Sequence, residues 1–157
     1  MDNEILEEKI GECLGLERAA QKAVEELESR GLLDEPAIKA KIMGMREEAG
    51  SHEQKLQQLI EQVEELDPQS IEEHAQETVQ KASEMMVTYL GENPDTLSAL
   101  EFLSLAEGGE VIHYEVLSKL ASEVKSKKFG TAVRSILRNE KEHLQLCIRL
   151  AKQSAAA

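Results

Sequence analysis

Long stretches of 3.6-residue hydrophobic periodicity, broken at only four places, are the feature that most restricts how this chain can fold. The breaks fall at residues 31–36, 67–70, 91–95 and 125–130. Each carries residues that stop or start helices: Gly31 with Asp34 as a cap and Pro36 in the next first turn, Asp67-Pro68 followed by a Ser70/Glu73 capping box, Gly91 with Pro94 and Asp95, and Gly130. The spacing predicts helices over 4–30, 36–66, 70–90, 95–125 and 130–153, four of them long and one shorter. No segment alternates with period two, so no strand is expected. Tryptophan is absent and aromatic residues make up 3% of the chain. Leu, Ile, Val, Ala and Met must therefore build the core, which favours helices packed on helices over a β-sandwich. A chain of 157 residues suits one all-α domain spanning 1–157. At that length roughly 70% of the unfolded surface can be buried without a disulfide staple.

The long helices come as two, then the shorter segment, then two more. A helical crossover of about 25 residues can carry the chain back to the other end of a bundle. It would make the 36–66 and 95–125 helices parallel, one of the two standard four-helix topologies. An up-down bundle with an extra helix packed outside is the competing arrangement.

Charge and cysteine usage exclude several functions. The 31 acidic against 18 basic residues give a net charge of -13. Phosphate recognition needs a basic surface, so neither nucleic acid nor an anionic membrane is an expected partner. No run of about 18 apolar residues is available to span a bilayer. The start Met-Asp-Asn-Glu lacks the basic and apolar pattern of a signal peptide, so a cytoplasmic protein is expected. Cys13 and Cys147 form no C-x-x-C pair, which excludes a zinc knuckle or a rubredoxin-type iron site.

The informative residues are polar groups on apolar faces. Projected at about 100° per residue, Leu6, Ile10, Cys13, Ala20, Val24 and Leu27 share one face of the first helix, with Glu17 in its middle. The second helix aligns Met45, Ala49, Leu56, Leu59 and Val63, with His52 inside the stripe and Glu48 on its edge. Over 95–125 the stripe is Ala99, Leu103, Ala106, Leu117, Leu120 and Val124, interrupted by Glu110 and His113. The last helix aligns Phe129, Val133, Ile136, Cys147 and Leu150, interrupted by Glu140 and His143.

A single Glu on an apolar face is commonly a boundary residue, and one Glu-x-x-His is weak evidence in a chain this rich in Glu. Four long helices that each lose their stripe near the middle, always to Glu or His, form a stronger pattern. A buried carboxylate costs several kcal/mol unless paired, and four at one level repel one another. Divalent ions answer both problems by neutralising the carboxylates and using the imidazole nitrogens. The i,i+3 spacing of Glu110/His113 and of Glu140/His143 puts each pair on one helix face. His74, in the crossover, has no matching partner and reads as a surface or packing residue.

These residues resemble the ferritin-like di-iron carboxylate superfamily, which includes ferritin and rubrerythrin. The stretch Arg46-Glu-Glu-Ala-Gly-Ser-His52-Glu-Gln-Lys-Leu56 is similar to the second helix of a short, stress-induced bacterial branch, and His113-Tyr-Glu115 to its third core helix. The resemblance implies a ferritin-like four-helix bundle with a crossover between core helices two and three. It implies a site of Glu17, Glu48, His52, Glu110, Glu140 and His143 around two iron ions, with manganese or zinc also suited to such donors. Glu17 and Glu110 would be the single-helix carboxylates, Glu48 and Glu140 their counterparts, and His52 and His143 would each cap one ion. Glu48 and His52 depart from the family's i,i+3 spacing, being i,i+4. His113 is an addition, either a ligand or a donor to a ligating carboxylate.

Oxygen or peroxide would be the co-substrates of a ferroxidase or peroxide-detoxifying protein, assembled as a homodimer or larger homo-oligomer. The alternative is a non-catalytic helical stress or interaction protein whose metal site is structural or absent. Tyr114 projects to a different face from the stripe, and Tyr89 lies in the crossover. With the first and last helices parallel, Cys13 and Cys147 fall on opposite sides of the polar layer, on the order of 16 Å apart, so no disulfide is expected.

Overall fold

A computed structural model describes residues 3–157 and is helical throughout its ordered elements: α1 (Asn3–Ser29), α2 (Pro36–Gln62), α3 (Pro68–Leu90), α4 (Thr96–Ala121) and α5 (Lys127–Ala156). No strand occurs among the described residues. No helix is long and apolar enough to cross a membrane.

The helix ends follow local chemistry. At the end of α1, Gly31 takes φ +72°. Its N–H donates to the Glu28 carbonyl, and the Leu32 N–H reaches back to Leu27 O at 3.0 Å, which is the Schellman pattern. Asp34 does not cap α2; the cap position is Glu35, without a side-chain bond, and Pro36 opens the helix. The α3 cap also differs from the Ser70/Glu73 capping box. Asp67 accepts from the Gln69 N–H, with Pro68 in the first turn. Proline needs no donor at that position, so the helix starts two residues earlier than the capping box implied. Asp95 caps α4 by accepting from Ser98 N–H, and Ser126 caps α5 by accepting from Phe129 N–H.

Two hydrophobic clusters report the direction of every helix. One holds Leu6, Ile10 and Leu14 of α1 with Leu56 and Leu59 of α2, Leu117 and Ala121 of α4, and Phe129 and Val133 of α5. The other holds Val24 and Leu27 of α1 with Ile38 and Ile42 of α2, Ala99 and Leu103 of α4, and Cys147 and Leu150 of α5. Helices α1 and α5 therefore run one way, and α2 and α4 the other. Helix α3 puts Ile71 and Ala75 in the first cluster and Leu90 in the second, so it runs parallel to α1 and carries the chain from one end to the other. Contacts link α1 to α2, α2 to α5, α5 to α4 and α4 to α1, with α3 laid against α1 and more lightly against α4.

Glycine explains how closely α3 lies on α1. A Cβ on Gly11 would stand 2.5 Å from the His74 Cβ, and one on Gly15 would stand 2.5 Å from the Ala75 carbonyl oxygen and 2.7 Å from the Thr78 Cβ. His74 is accordingly a packing residue. Arg18 ties the same helices at their edge, its guanidinium 2.9 Å from Glu53 of α2 and 2.8 Å from Glu72 of α3.

The close approach is testable. A Gly-to-Ala change in an open helix interior gains up to about 1 kcal/mol, whereas overpacking costs about 1–3 kcal/mol. Gly44 of α2 has nothing within 4 Å of the Cβ position. Urea unfolding should show Gly44→Ala raising stability and Gly15→Ala lowering it. Equal stabilisation by both would contradict the α1–α3 packing.

Candidate metal centre

Between the two hydrophobic clusters, α1, α2, α4 and α5 bring charged residues together. Glu17, Glu107, Glu110, Glu140, His52 and His143 are all buried, with Glu17 and Glu140 fully removed from solvent. Glu17 sits between Leu14 and Val24 on the α1 stripe, and His52 between Ala49 and Leu56 on α2, so the packing that buries these helices also buries their polar members.

The geometry centres on Glu140. The Nδ1 of His52 lies 2.8 Å from Glu140 Oε1 and 2.8 Å from Glu17 Oε2. On the other side, His143 Nδ1 lies 3.4 Å from Glu140 Oε2 and 3.8 Å from Glu107 Oε2. Two groups of potential ligand atoms result, Glu17/His52/Glu140 and Glu107/Glu140/His143, each with its atoms within 4.8 Å of one another. Glu140 belongs to both. With one oxygen toward each group, Glu140 could donate to a cation held by either.

The hydrogen bonding of this layer is incomplete. Glu17 Oε1, both oxygens of Glu110 and Glu107 Oε2 meet no N–H donor, and the Tyr114 hydroxyl has no partner, while Glu140 Oε2 and His143 Nε2 have only contacts of 3.4 Å. Buried polar atoms are normally satisfied, and each exception needs a cause. No Lys or Arg reaches the layer in any ion pair among the described residues. Oxygen-rich and imidazole donors of this kind fit iron, manganese or zinc. The donor set therefore fits a divalent cation pair.

Electrostatics agree. Burial raises the Glu17 carboxyl well above the usual range, and the charge of Glu140 adds to it. Burial raises Glu107 and Glu110 likewise, assisted by the charge of Glu110 on the first and of Glu17 on the second. Burial works to raise Glu140 too, yet hydrogen bonds with His143 and His52 outweigh it and hold the carboxyl well below the usual range. The layer thus contains one firmly ionised carboxylate and three that resist ionisation without a counter-cation.

Two residues read from the sequence stand apart from this cluster. Glu48 is exposed at the surface end of the site; its Oε2 lies 3.4 Å from His143 Nε2, on the side of the ring away from Glu140. His113 is turned out of the layer. Its Nδ1 lies 2.7 Å from the Gly109 carbonyl and its Nε2 lies 3.2 Å from Glu12 Oε2 at the α1–α4 edge. Neither ring nitrogen faces the buried carboxylates.

Two others are inside where the sequence reading did not put them. The buried stripe of α4 is Ala99, Leu103, Glu107, Glu110, Tyr114, Leu117 and Ala121. The sequence stripe stepped by 3.5 residues and reached 106, 113, 120 and 124; a straight helix steps by about 3.6 and drifts about 20° per heptad. From Leu103 that step lands on Glu107, Glu110, Tyr114, Leu117 and Ala121, so the signal was present. Tyr114 consequently faces the core rather than a different face, and burial raises its phenol well above its ordinary value, with Glu17 adding to the effect. Cys13 and Cys147 are both buried free thiols, one in each hydrophobic cluster.

Comparison with family models, with curated proteins and with solved structures gives no match. The reading of the site accordingly rests on its own residues.

A pH dependence follows. A carboxyl whose folded pKa is raised is protonated in the folded chain while ionised in the unfolded one, so stability falls as pH rises through that window. Glu140, held low, acts oppositely, and its contribution is lost only as pH falls below the unfolded value. In metal-free protein, stability relative to a Glu110→Gln variant should decline as pH rises above the ordinary carboxyl range, measured by denaturant unfolding. A pH-independent difference would contradict the unpaired burial of Glu110.

Proposed function

We propose that this chain is a ferritin-like dinuclear metal protein, with iron as its working metal and oxygen or peroxide as its oxidant. The observation that carries the reading is the pair of three-residue ligand groups that share Glu140, set among buried carboxylate oxygens that largely meet no N–H donor. The ring of contacts through α1, α2, α5 and α4, with α3 as the crossover, supports a four-helix arrangement of the ferritin-like kind.

In this reading Glu17, His52 and Glu140 would hold one ion, and Glu107, Glu140 and His143 the other. Glu110, buried beside Glu17 and Glu107, would be a further carboxylate donor. Held by these residues, a redox-active metal pair would supply the electrons for reducing oxygen or peroxide. The chain's own residues do the rest. The two hydrophobic clusters exclude bulk water from the layer on both sides. His143 stands between buried Glu140 and exposed Glu48, so the ring nitrogen facing the layer would ligate while the other donates its N–H to Glu48. Glu48 orients that ring from outside, as carboxylates paired with ligating histidines do.

The test begins with anaerobic ferrous loading and elemental analysis. Two ions per chain are expected from the two ligand groups, and Glu140→Ala combined with His143→Ala should abolish binding while circular dichroism stays helical. Glu48→Ala should weaken affinity by about 10–100-fold without removing binding. Oxygen and peroxide consumption by the loaded protein then separates turnover from binding alone. Unchanged metal content in the double variant would sink the proposal.

A further inference from the structure

The large hydrophobic residues left exposed are not scattered. Among the described residues they are Ile5, Met85, Val87, Tyr89, Leu105, Ile112 and Val116. All but Ile5 lie on α3 near its C-terminal end or on the outward face of α4. On α4 they fall into a stripe with Gly109: Leu105, Gly109, Ile112, Val116. This stripe lies nearly opposite the Glu107/Glu110/Tyr114 face that closes the buried layer.

Two details distinguish the stripe from an ordinary solvated helix face. The first is Gly108-Gly109 in mid-helix, where each glycine costs roughly 1 kcal/mol relative to alanine. Nothing lies within 4 Å of a Cβ built at either position, so no contact within the chain explains them, unlike Gly11 and Gly15. The second is symmetry. The spacing along the stripe is four, three, four, the same read in either direction. Two such helices packed antiparallel about a two-fold axis set Leu105 against the partner's Val116, and Ile112 against the partner's Gly109. The largest central side chain thus meets the residue that has none.

The flanking charges follow the same symmetry to within one residue. Glu101 and Lys119 are exposed, and neither makes an ion pair among the described residues. They are eighteen residues apart, five full turns at about 3.6 residues per turn, so both lie on the same side of the stripe. A two-fold axis perpendicular to the helices brings same-side flanks together. Glu101 then meets the partner's Lys119, and the pair forms twice.

The geometry points to α4 as an isologous interface that holds a second copy of this chain, with Ile112 seated over the partner's Gly109. Stable interfaces bury about 1,200–2,000 Å² in total, more than one helix stripe offers. Met85 and Val87 of α3 border the stripe at the level of Leu105 and widen it. The net charge of -13 per chain opposes self-association, so apolar contact must outweigh that repulsion at a physiological ionic strength of about 0.15 M. The pairing is independent of what the buried layer binds, since α4 presents the two features on opposite faces.

Sedimentation velocity and light scattering on the full chain test the interface. The wild type should have twice the 17.5 kDa chain mass. Ile112→Glu should reduce it to one chain mass with unchanged helicity, and so should Gly109→Leu, which fills the space for Ile112. Glu101→Lys and Lys119→Glu should each weaken the dimer, and the double swap should restore it. A wild-type monomer, including one that binds a detergent or acyl probe on this face, overturns the proposal. So does a dimer indifferent to Ile112→Glu, or a charge swap without mutual rescue.

Discussion

The bond pattern around Glu140 is the constraint on which the rest of the chain's interior depends. Its two oxygens face imidazoles from different helices, His52 of α2 and His143 one turn along α5. Around it stand three more buried carboxylates whose oxygens largely meet no N–H donor. Ionised and unpaired, such a layer would cost several kcal/mol per group. It persists in a stable bundle only with protons on three of the carboxyls or with cations among them. Protons would let neighbouring carboxyls hydrogen-bond to one another; cations would neutralise the carboxylates and use the imidazole nitrogens as well.

The hydrophobic clusters make that layer possible. Each helix of the ring contributes apolar residues above and below its polar turn, so the charges are held between two packed regions rather than at a surface. The topology matters here. Because α3 carries the chain back along α1, the α2 and α4 segments run parallel, and α5 enters beside α4 from the Phe129 end. That order brings Glu17, His52, Glu107 and Glu140 to a common level from near the middle of four helices. Gly11 and Gly15 let the crossover lie flat on α1 without displacing it from the ring.

The elements and most of the layer were legible in the sequence. Helix-breaking residues mark every connection, and Glu17, His52, Glu110, Glu140 and His143 interrupt apolar stripes strongly enough to be recognised. What was not legible turned on small angles. A 3.5-residue step put His113 inside and Glu107 and Tyr114 outside; by the middle of a straight helix the accumulated drift had exchanged them. Glu48 sits at the border of the α2 stripe, where sequence periodicity does not separate a buried ligand from a carboxylate that meets His143 at the surface. The α3 cap went to Asp67 because Pro68 opens that helix, a preference that competes with the capping box three residues later. The close α1–α3 contact left only two glycines spaced four apart as its trace.

Diffraction from crystals soaked with ferrous or manganous ion, measured across the metal's absorption edge, tests the central claim most directly. Anomalous density is expected within the layer, one peak bounded by Glu17, His52 and Glu140 and another by Glu107, Glu140 and His143. Ordered side chains at those positions with no anomalous density between them, or density confined to the protein surface, would contradict it.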